Sequence, residues 1–427
     1  MDSFRKGFAT KKCNFFLSIV LMLLLLAGGC AEQLVKSICE PIGKAIGEAA
    51  VASVPVTVSA NAYYCRYGQW PKTGDELKTF AKSEFDGLCK DFNCEAFSLA
   101  EYDILADGRL KITFPNKKGS QSNGAFTITI PEPNSCVWFH QDQNAVDVFI
   151  RGNHFTTYRY DLELTKPILY PVKSPSGVTV TRGFPFEIIP GESTDHPHHT
   201  GVFFTYDKVN NDGFWNNKKS PPQIKHIKVT EMDLDKGRLS VISHWVGKSG
   251  KTLLEEKRDM RFFAEPNEYA IDFNIVLTAQ DEKVVFSDTR EGMFAIRLAD
   301  WLREQGGTGE YLNSEGQKNE PNIWGRRAKW VRLEGQKDGN TIGVAIFHHP
   351  DSVNYPTFWM ARGYGLFSAN PLGQYEFETT TKVENPKAFN LTLQPGESAL
   401  FKFKLIVYDG HKTAQELEKE FQNYAGK

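Results

Sequence analysis

Three of the ten histidines in this chain lie within four residues, in the run Asp195-His196-Pro197-His198-His199. Imidazole titrates near neutral pH and is the commonest metal ligand in proteins. The run therefore indicates an acid–base site, a metal site or a polar substrate pocket, with a polar surface turn as the alternative without chemistry. Proline restricts the residue before it to extended backbone. In an extended segment His196 and His198 would face one side and His199 the other, so at most two rings would share a site.

A carboxylate that could complement the histidines is Glu291, in the segment Asp288-Thr289-Arg290-Glu291-Gly292. A glutamate opposite a histidine makes a workable general acid–base pair, and we expect His198 or His199 to be the other member. The alternative for Glu291 is a surface salt bridge to a neighbouring arginine, which would contribute little.

Further residues fit a cleft with polar edges and aromatic walls, which is how sugars are bound. The glycines of Arg362–Phe367 would let backbone approach a ligand, and the fork of Arg182 suits carboxylates or vicinal hydroxyls. For each aromatic residue alone, core packing is the competing interpretation. The predicted catalytic residues are His198, His199, Glu291 and Tyr364. The predicted substrate-binding residues are Arg182, Asp195, His196, Trp215, Arg297, Arg362 and Asn370.

Several classes of protein are disfavoured by motif and charge. The chain has no dinucleotide fingerprint, P-loop, GxSxG or HExxH motif, so we predict no cofactor. Its net charge of −2 lacks the basic excess of nucleic-acid binders. A zinc or iron site built from His196 and His198, with Asp195 or the distant His348, is kept as an alternative, although such sites need three or four converging ligands.

The N-terminus reads as an export signal. Basic residues between Arg5 and Lys12 precede an apolar run, Phe15 to Leu26, that is short for a membrane span, and small residues precede Cys30. The pattern before Cys30 resembles a bacterial lipobox, which implies cleavage there and acylation of the Cys30 thiol. We therefore predict a lipoprotein of the periplasm or cell surface, held on the membrane by its lipid chains. An ordinary signal peptide is the alternative.

The positions of the cysteines divide the chain after the signal into two parts. Cys39, Cys65, Cys89, Cys94 and Cys136 all lie in the first third of the chain, and an exported protein can join such residues in disulfides. We predict a signal over residues 1–30, a small α+β module over 31–134 and a large domain over 137–427. In the small module we expect helices at Val35–Val51 and Asp75–Phe85, with strands at Leu110–Phe114 and Ala125–Ile130.

The large domain is dense in strand patterns, and we expect Ala414–Tyr424 as its one clear helix. Alternating βα units are missing, so the pattern predicts a mainly β fold, a large antiparallel sandwich. We expect strands at Ala145–Ile150, Val178–Arg182, Ile224–Val229, Leu239–Trp245, Met260–Phe263, Tyr269–Leu277, Thr341–Phe347 and Ala399–Tyr408.

The order of these motifs resembles the PmoA-like family, labelled "methane oxygenase PmoA", which consists of exported bacterial proteins common in polysaccharide degraders. The resemblance spans most of residues 137–410 and implies a sandwich similar to the galactose mutarotase superfold. The segments that carry it are Thr156–Tyr160, Lys166–Pro171, Asp195–His199, Val209–Trp215, Asp288–Gly292, Trp324–Ala328, Arg362–Phe367 and Asn370-Pro371.

Three functions follow from these patterns. The first is an enzyme acting on carbohydrate, a hydrolase, lyase or epimerase, that uses a histidine and Glu291 for acid–base chemistry. The second is a lipoprotein that binds glycans without turning them over. The third is an enzyme that depends on a divalent metal held by histidine and aspartate.

Overall fold

The computed structural model describes residues 48–84, 95–114, 126–130, 132, 136–216, 221–234, 236–265 and 267–426. The signal segment, Cys30 and most of the helix expected at Val35–Val51 lie outside these residues. The described chain forms two compact units. One contains the described residues up to Trp138, with Phe149–Asn153 and Met232–Gly237, and the other contains Phe139–Val148, His154–Glu231 and the described residues from Arg238 onward.

The smaller unit is an α+β module. Its helices are α1 (Glu48–Tyr67), α2 (Gly74–Glu84) and α3 (Glu95–Leu99), and its antiparallel sheet has the order β1 (Glu101–Ile104), β2 (Leu110–Phe114), β3 (Phe126–Ile130). Thr73 caps α2 by accepting a hydrogen bond from the backbone N–H of Glu76 at 3.2 Å. Buried side chains of the helices pack with those of β2, since every second residue of that strand is buried.

The larger unit is built on two antiparallel sheets of eight strands. Sheet I has the order β18-β19-β14-β8-β7-β6-β5-β4, and sheet II has the order β15-β16-β17-β21-β12-β11-β10-β9. The strands of sheet I are β4 (Val137–Asp142), β5 (Ala145–Ile150), β6 (Asn153–Arg159), β7 (Ile168–Val172), β8 (Val202–Tyr206), β14 (Gly292–Arg297), β18 (Phe358–Ala361) and β19 (Leu366–Asn370). Those of sheet II are β9 (Gln223–Asp233), β10 (Arg238–Val246), β11 (Thr252–Glu265), β12 (Glu268–Ala279), β15 (Glu310–Asn313), β16 (Trp330–Lys337), β17 (Asn340–His348) and β21 (Ser398–Asp409).

The two sheets pack face to face through aromatic side chains. Phe294 of sheet I stacks on Phe403 of sheet II with ring centroids 4.7 Å apart, and it also meets Phe273 edge-on at 4.8 Å. Phe204 contacts Phe401 in the same layer. Burying rings of this size is the main favourable contribution to such a core. The predicted mainly β, antiparallel sandwich is therefore confirmed.

Smaller elements close the larger unit. They are the two-stranded pair β13 (Val284–Phe286) and β20 (Leu391–Leu393), the short helices α4 (Asn319–Ile323) and α5 (Gln374–Thr380), and the C-terminal helix α6 (Ala414–Tyr424). Helix α6 begins with a capping box between Thr413 and Glu416. The sequence predicted α6 but not α4 or α5, which have too few residues to show a helical period.

One predicted strand is wrong. Residues 178–182 form isolated bridges, Lys173↔Thr179 and Thr181↔Leu298, instead of a strand. The backbone bonds of this segment are divided between two partners, because the N–H of Val180 donates to the carbonyl of Val172 at 2.9 Å and that of Arg182 to the carbonyl of Arg297 at 3.1 Å. The other strands that we predicted are present, most of them longer than expected.

The described residues contain no disulfide bond, and Cys39, Cys89 and Cys94 lie outside them. Cys65 and Cys136 are buried in the smaller unit, where a hydrogen bond from Cys65 helps to lower the pKa of the Cys136 thiol. No helix in the described ranges is both long and apolar enough to cross a membrane.

Candidate functional site

The histidine run opens into a cavity of about 480 Å³ on the larger unit. Most of its lining can form hydrogen bonds, and Trp215 and Tyr364 add aromatic rings. Ligand sites commonly have volumes of this order. The lining residues are His196, His198, His199, Asp207, Trp215, Asn216, Glu291, Met360, Arg362 and Tyr364.

The floor of the cavity is the face of sheet I that points away from sheet II. Side chains alternate along a strand, and Phe204 and Phe294 point into the layer between the sheets. Their neighbours Phe203 and Ala295 therefore point the other way, and they are directly paired across β8 and β14. They pack in one apolar cluster with Trp215 and Met360, among others. The sandwich thus supplies a rigid base, and loops at the strand ends supply the polar groups.

Two buried arginines fix the histidine loop, which we define as residues 193–200. Arg182 donates to Oδ1 of Asp195 at 2.5 Å and to the carbonyl oxygens of His196 and His199 at 3.1 and 3.2 Å. Arg297, from β14, donates to the same oxygen of Asp195 at 2.6 Å. Both guanidinium side chains are fully buried. Charge-assisted bonds of this kind are short and directional, so they define the path of the loop.

The loop is not extended, contrary to our expectation. His196 adopts a φ of 40°, and the backbone N–H of His199 donates to the carbonyl of His196 at 3.0 Å. This turn brings all three rings to one cavity. His196 and His199 stack with centroids 4.9 Å apart, and His198 meets His199 at 4.2 Å. His196 is the residue that Pro197 should keep extended, and its φ of 40° departs from that rule because bonds from Arg182 to the carbonyls of His196 and His199 hold the turn.

His196 forms a dyad with Asp195. Its Nδ1 lies 2.6 Å from Oδ2 of Asp195, the oxygen that the arginines leave open. Burial alone would raise the pKa of Asp195, but the bond from His196 and the charges of Arg297 and Arg182 lower that pKa below its ordinary value. A carboxylate that stays ionised favours the tautomer of His196 with the proton on Nδ1. The unprotonated Nε2 is then available to accept a proton from a bound molecule.

His198 and His199 differ from His196 in that burial lowers the pKa of both. Burial, together with the charges of Lys166, His196, Arg182 and Arg297, lowers the pKa of His198 to about 4. Burial also holds the pKa of His199 far below its ordinary range. His199 is 2% exposed, and neither of its ring nitrogens has a hydrogen-bond partner in the described chain. Both rings are therefore neutral near pH 7 and can each donate one hydrogen bond.

Glu291 reaches the cavity from the end of β14. Asp288, three residues earlier, accepts hydrogen bonds from the backbone N–H groups of Tyr375 and Glu376 at the start of α5. The amide of Asn370 donates to the carbonyls of Thr289 and Arg290 at 2.9 and 3.0 Å. These contacts fix the turn that presents Glu291, whose Oε1 lies 3.3 Å from Nε of Arg290.

Tyr364 and Arg362 enter the cavity from the turn between β18 and β19. The Tyr364 ring stacks on His196 at 5.3 Å, and the Arg297 guanidinium lies 4.8 Å from its centroid. Burial raises the pKa of Tyr364. The guanidinium of Arg362 lies 3.3 Å from Oε1 of Glu320, so its charge is partly neutralised.

The structure thus gathers most of the predicted site residues, but at different depths. His196, His198, His199, Trp215, Glu291, Arg362 and Tyr364 line the cavity. Asp195, Arg182, Arg297 and Asn370 are outside its lining, and their contacts hold the loops that form it. His348, which we considered as a metal ligand, is buried in the core against Tyr355 and Phe403. Within the described residues, no three His, Cys, Asp or Glu side chains converge as a metal site would require.

Two polar residues near the cavity were missed from the sequence. Asp207 follows β8 directly, its backbone N–H donates to the carbonyl of Glu291 at 3.0 Å, and both residues line the cavity. Burial raises the pKa of Asp207. Lys166 is 3% exposed, and its Nζ lies 5.1 Å from the centroid of the Phe203 ring. The position of Asp207 after a strand was a usable signal, whereas nothing in the sequence marks Lys166 as buried.

Solved structures with a similar arrangement of chain include galactose mutarotase-like proteins. One is a galactose mutarotase related enzyme from Lactobacillus acidophilus, with a TM-score of 0.28 and 10% identity over 65% of this chain and 98% of that chain. Another is a galactose mutarotase-like protein from Lactobacillus casei, with a TM-score of 0.32 and 7% identity over 64% of this chain and 100% of that chain. A polysaccharide lyase matches with a TM-score of 0.29 and 10% identity, over 67% of this chain and 34% of that chain.

A search of curated proteins gave no significant match. The sequence profile of a family described as "Family of unknown function (DUF6807)" matches residues 145–422. The matched range contains the three histidines, Glu291, Asp207, Lys166 and both buried arginines.

Proposed function

The chain belongs to the family of unknown function DUF6807, and we propose that it is an enzyme that moves a proton on a carbohydrate substrate. The observation that carries this proposal is the Asp195–His196 dyad, with Nδ1 bonded to a carboxylate 2.6 Å away. The same cavity contains a second proton-transfer group, Glu291. A histidine oriented by an ionised carboxylate is the usual arrangement of a general base.

The composition of the cavity supports a carbohydrate as the substrate. A sugar offers many hydroxyl groups in the plane of its ring and apolar C–H groups on its faces. The cavity has imidazole, carboxylate, amide and guanidinium groups for the hydroxyls, and the rings of Trp215 and Tyr364 for the faces. Its volume of about 480 Å³ is adequate for one or two sugar residues.

In this mechanism the lining residues divide the work. His196 accepts or returns the proton through Nε2, and Glu291 performs the complementary transfer. His198 and His199 are neutral and donate hydrogen bonds to substrate oxygens. Tyr364 holds the His196 ring by stacking at 5.3 Å. Asp195, Arg182 and Arg297 act through the loop, so they are positioning residues. This assignment moves the base from His198 or His199, where the sequence placed it, to His196.

The proposal can be tested without knowing the substrate in advance. The purified protein would be incubated in D₂O with neutral and acidic mono- and oligosaccharides, and products would be followed by NMR and mass spectrometry. Exchange of a carbon-bound proton indicates epimerisation, a gain of water indicates hydrolysis, and a new double bond indicates elimination. We expect His196→Ala and Glu291→Gln each to lower the rate by about 10²–10⁴-fold.

The matched control is His140→Ala, which replaces an exposed histidine outside the cavity. Unchanged turnover in both site variants would rule out the proposed acid–base pair. Saturable sugar binding without any turnover would instead support the glycan-binding alternative. Turnover that disappears with a chelator and returns with added zinc or iron would support the metal-dependent alternative.

The place of the protein in the cell is a further part of the proposal. The basic segment, the apolar run Phe15 to Leu26 and the small residues before Cys30 support export and acylation at Cys30. Intact mass of the protein from membranes should show a lipid-modified N-terminal Cys30. A Cys30→Ser variant should lose membrane attachment, and recovery of that variant in the membrane fraction contradicts the anchor.

Disulfide formation is proposed for the same compartment. Cys65 and Cys136 are the pair whose thiols lie side by side in the smaller unit. Peptide mass mapping without reduction should recover them as one linked species. The similarity to the PmoA-like family rests on the motifs given above, and a significant sequence match to a member of that family is the result that would establish it.

A further inference from the structure

Lys166 is a buried cation without a counter-ion. It is 3% exposed, and its ammonium group makes no hydrogen bond and no ion pair in the described part of the chain. Its ammonium nitrogen lies over the ring of Phe203, 5.1 Å from the centroid. A buried charge is normally paired or hydrogen-bonded, because desolvation is costly. Burial accordingly lowers the pKa of Lys166 to about 7. An unpaired ammonium group at this position points to an anion that a bound molecule supplies.

Unsatisfied ring nitrogens belong to His199, which lines the cavity, and both of them are buried without partners. Phe203 neighbours both residues, since its ring centroid is 6.2 Å from that of His199 and 5.1 Å from Nζ of Lys166. The charge of Lys166 also helps to lower the pKa of His198 and of His199. We call His198, His199 and Lys166, with Arg182 and Arg297 behind them, the cationic wall. In the described chain both arginines form ion pairs with Asp195, and Asp300 acts on them from farther away, so three cationic side chains share one directly paired carboxylate.

Asp207 and His198 are surrounded by different charges. The largest charge effects on His198 come from Lys166, His196, Arg182 and Arg297, and they lower its pKa. The charges that act on Asp207 are those of Lys208, Glu376 and Lys248. Cationic groups therefore dominate around His198.

We propose that the cationic wall binds a carboxylate of the substrate, and that the substrate is an acidic sugar, a uronate or an oligosaccharide that contains one. This inference rests on the proposed function for its site and narrows its substrate class. The carboxylate accepts hydrogen bonds from His198 and His199, and its charge is balanced by Lys166. The sugar ring then lies toward His196, Glu291 and Tyr364.

A carboxylate fits this wall better than a phosphate or sulfate group. The lining residues include no helix N-terminus and no glycine nest, which are the usual phosphate sites. Arg182 and Arg297 lie outside the cavity lining and bond Asp195 and the histidine loop, although Nε of both and Nη1 of Arg297 are buried without a partner. The donors of the lining itself are the two imidazoles, with the amine of Lys166 nearby, and this set suits a group with two oxygens and one charge.

Calorimetry with matched ligands tests this directly. The probes are glucuronate and galacturonate, as monosaccharides and short oligomers, beside the corresponding uronamides, which replace the carboxylate by a neutral amide. Wild-type protein should bind at least one acidic sugar about 10–100-fold more tightly than its amide, as expected for a charge-assisted contact. Lys166→Met should abolish this preference, and Lys166→Gln should do the same if Met perturbs packing. Lys225→Met, at an exposed lysine of β9, should leave it intact.

The outcomes separate this inference from the proposed function. If no acidic sugar binds more tightly than its amide, or if both Lys166 variants keep the preference, the carboxylate subsite is wrong. Tighter binding of a sulfated or phosphorylated sugar than of every uronate also overturns it. A preference for uronates in a protein that turns over no sugar supports the subsite while contradicting the proposed catalysis. Turnover of neutral sugars alone supports the proposed catalysis and contradicts the carboxylate subsite.

Discussion

Arg182 and Arg297 donate to one and the same oxygen, Oδ1 of Asp195, at 2.5 and 2.6 Å. Two buried like charges are thereby held together by a single carboxylate, whose other oxygen orients His196. Such an arrangement is costly to break, because removal of the anion leaves two guanidinium groups buried and uncompensated.

We therefore expect Asp195→Asn to lower the free energy of unfolding by about 3–5 kcal/mol. Urea denaturation followed by circular dichroism measures the change. The control is Asp161→Asn, whose partner Arg159, 2.7 Å away, is itself partly exposed, unlike the two buried arginines, so this change should cost less than about 1 kcal/mol. Equal losses in the two variants would show that Asp195 does not stabilise the loop as described.

The dyad also predicts the tautomer of His196. The bond at 2.6 Å between its Nδ1 and Asp195 places the ring proton on Nδ1 and leaves Nε2 unprotonated in the neutral ring. Long-range ¹⁵N–¹H NMR of histidine-labelled protein distinguishes the two tautomers, and His196→Gln assigns the signal. A neutral His196 with its proton on Nε2 is incompatible with the role proposed for that atom.

Lys166 should reduce stability in a manner that depends on pH. Burial lowers its pKa to about 7 in the folded protein, against an ordinary value of 10.5 for lysine. Between these values the unfolded chain binds more protons, so the stability of the wild type rises with pH across this window, and the penalty is complete below it. Lys166→Met should therefore stabilise the protein by about 1–4 kcal/mol near neutral pH and below, and by less as pH approaches 10.

Urea unfolding at about pH 6, where the penalty is complete, and at about pH 9, inside the window, gives this comparison. Lys225→Met serves as the exposed control and should show little change at either pH. A Lys166→Met variant that is less stable than the wild type at both values would mean that Lys166 has a stabilising partner.

His198 should remain neutral under mildly acidic conditions. Burial and the neighbouring cations lower its pKa to about 4. Since the unfolded chain protonates histidine near pH 6.5, this residue makes the folded state lose stability as pH falls from there toward 4. NMR titration should find the His198 ring unprotonated at about pH 5, and its pKa should rise in Lys166→Met because a like charge is removed. A His198 that titrates at its ordinary value would contradict the cationic wall.

The sequence was informative where structure depends on local pattern. Tyr269–Leu277 and Ala399–Tyr408 alternate in a way that only a two-sided strand explains, and they pair as neighbours in sheet II. The run around His196 and the segment around Glu291 were recognisable because their residue types are dense in chemistry. Both contribute side chains to one cavity, although they are far apart in the chain.

What could not be predicted depends on contacts between distant segments. The turn at His196 is held by Arg182, and Asp207 meets Glu291 through the pairing of two strands. Lys166 looks like any surface lysine until the surrounding chain covers it. Neither alternation nor residue type encodes such contacts, because they arise only when the sheets assemble.

The pairing of β14 with β8 also decides whether a functional cavity exists at all. Ala295 lies opposite Phe203, and this register turns Arg297, two residues on, toward the histidine loop. A slip of one residue would rotate Arg297 into the apolar layer and expose Phe294. Asp195 would lose a partner, and the loop would lose its anchor. A misaligned sheet would therefore lose the proposed activity together with its stability, so an assay of that activity would also report on the fidelity of folding.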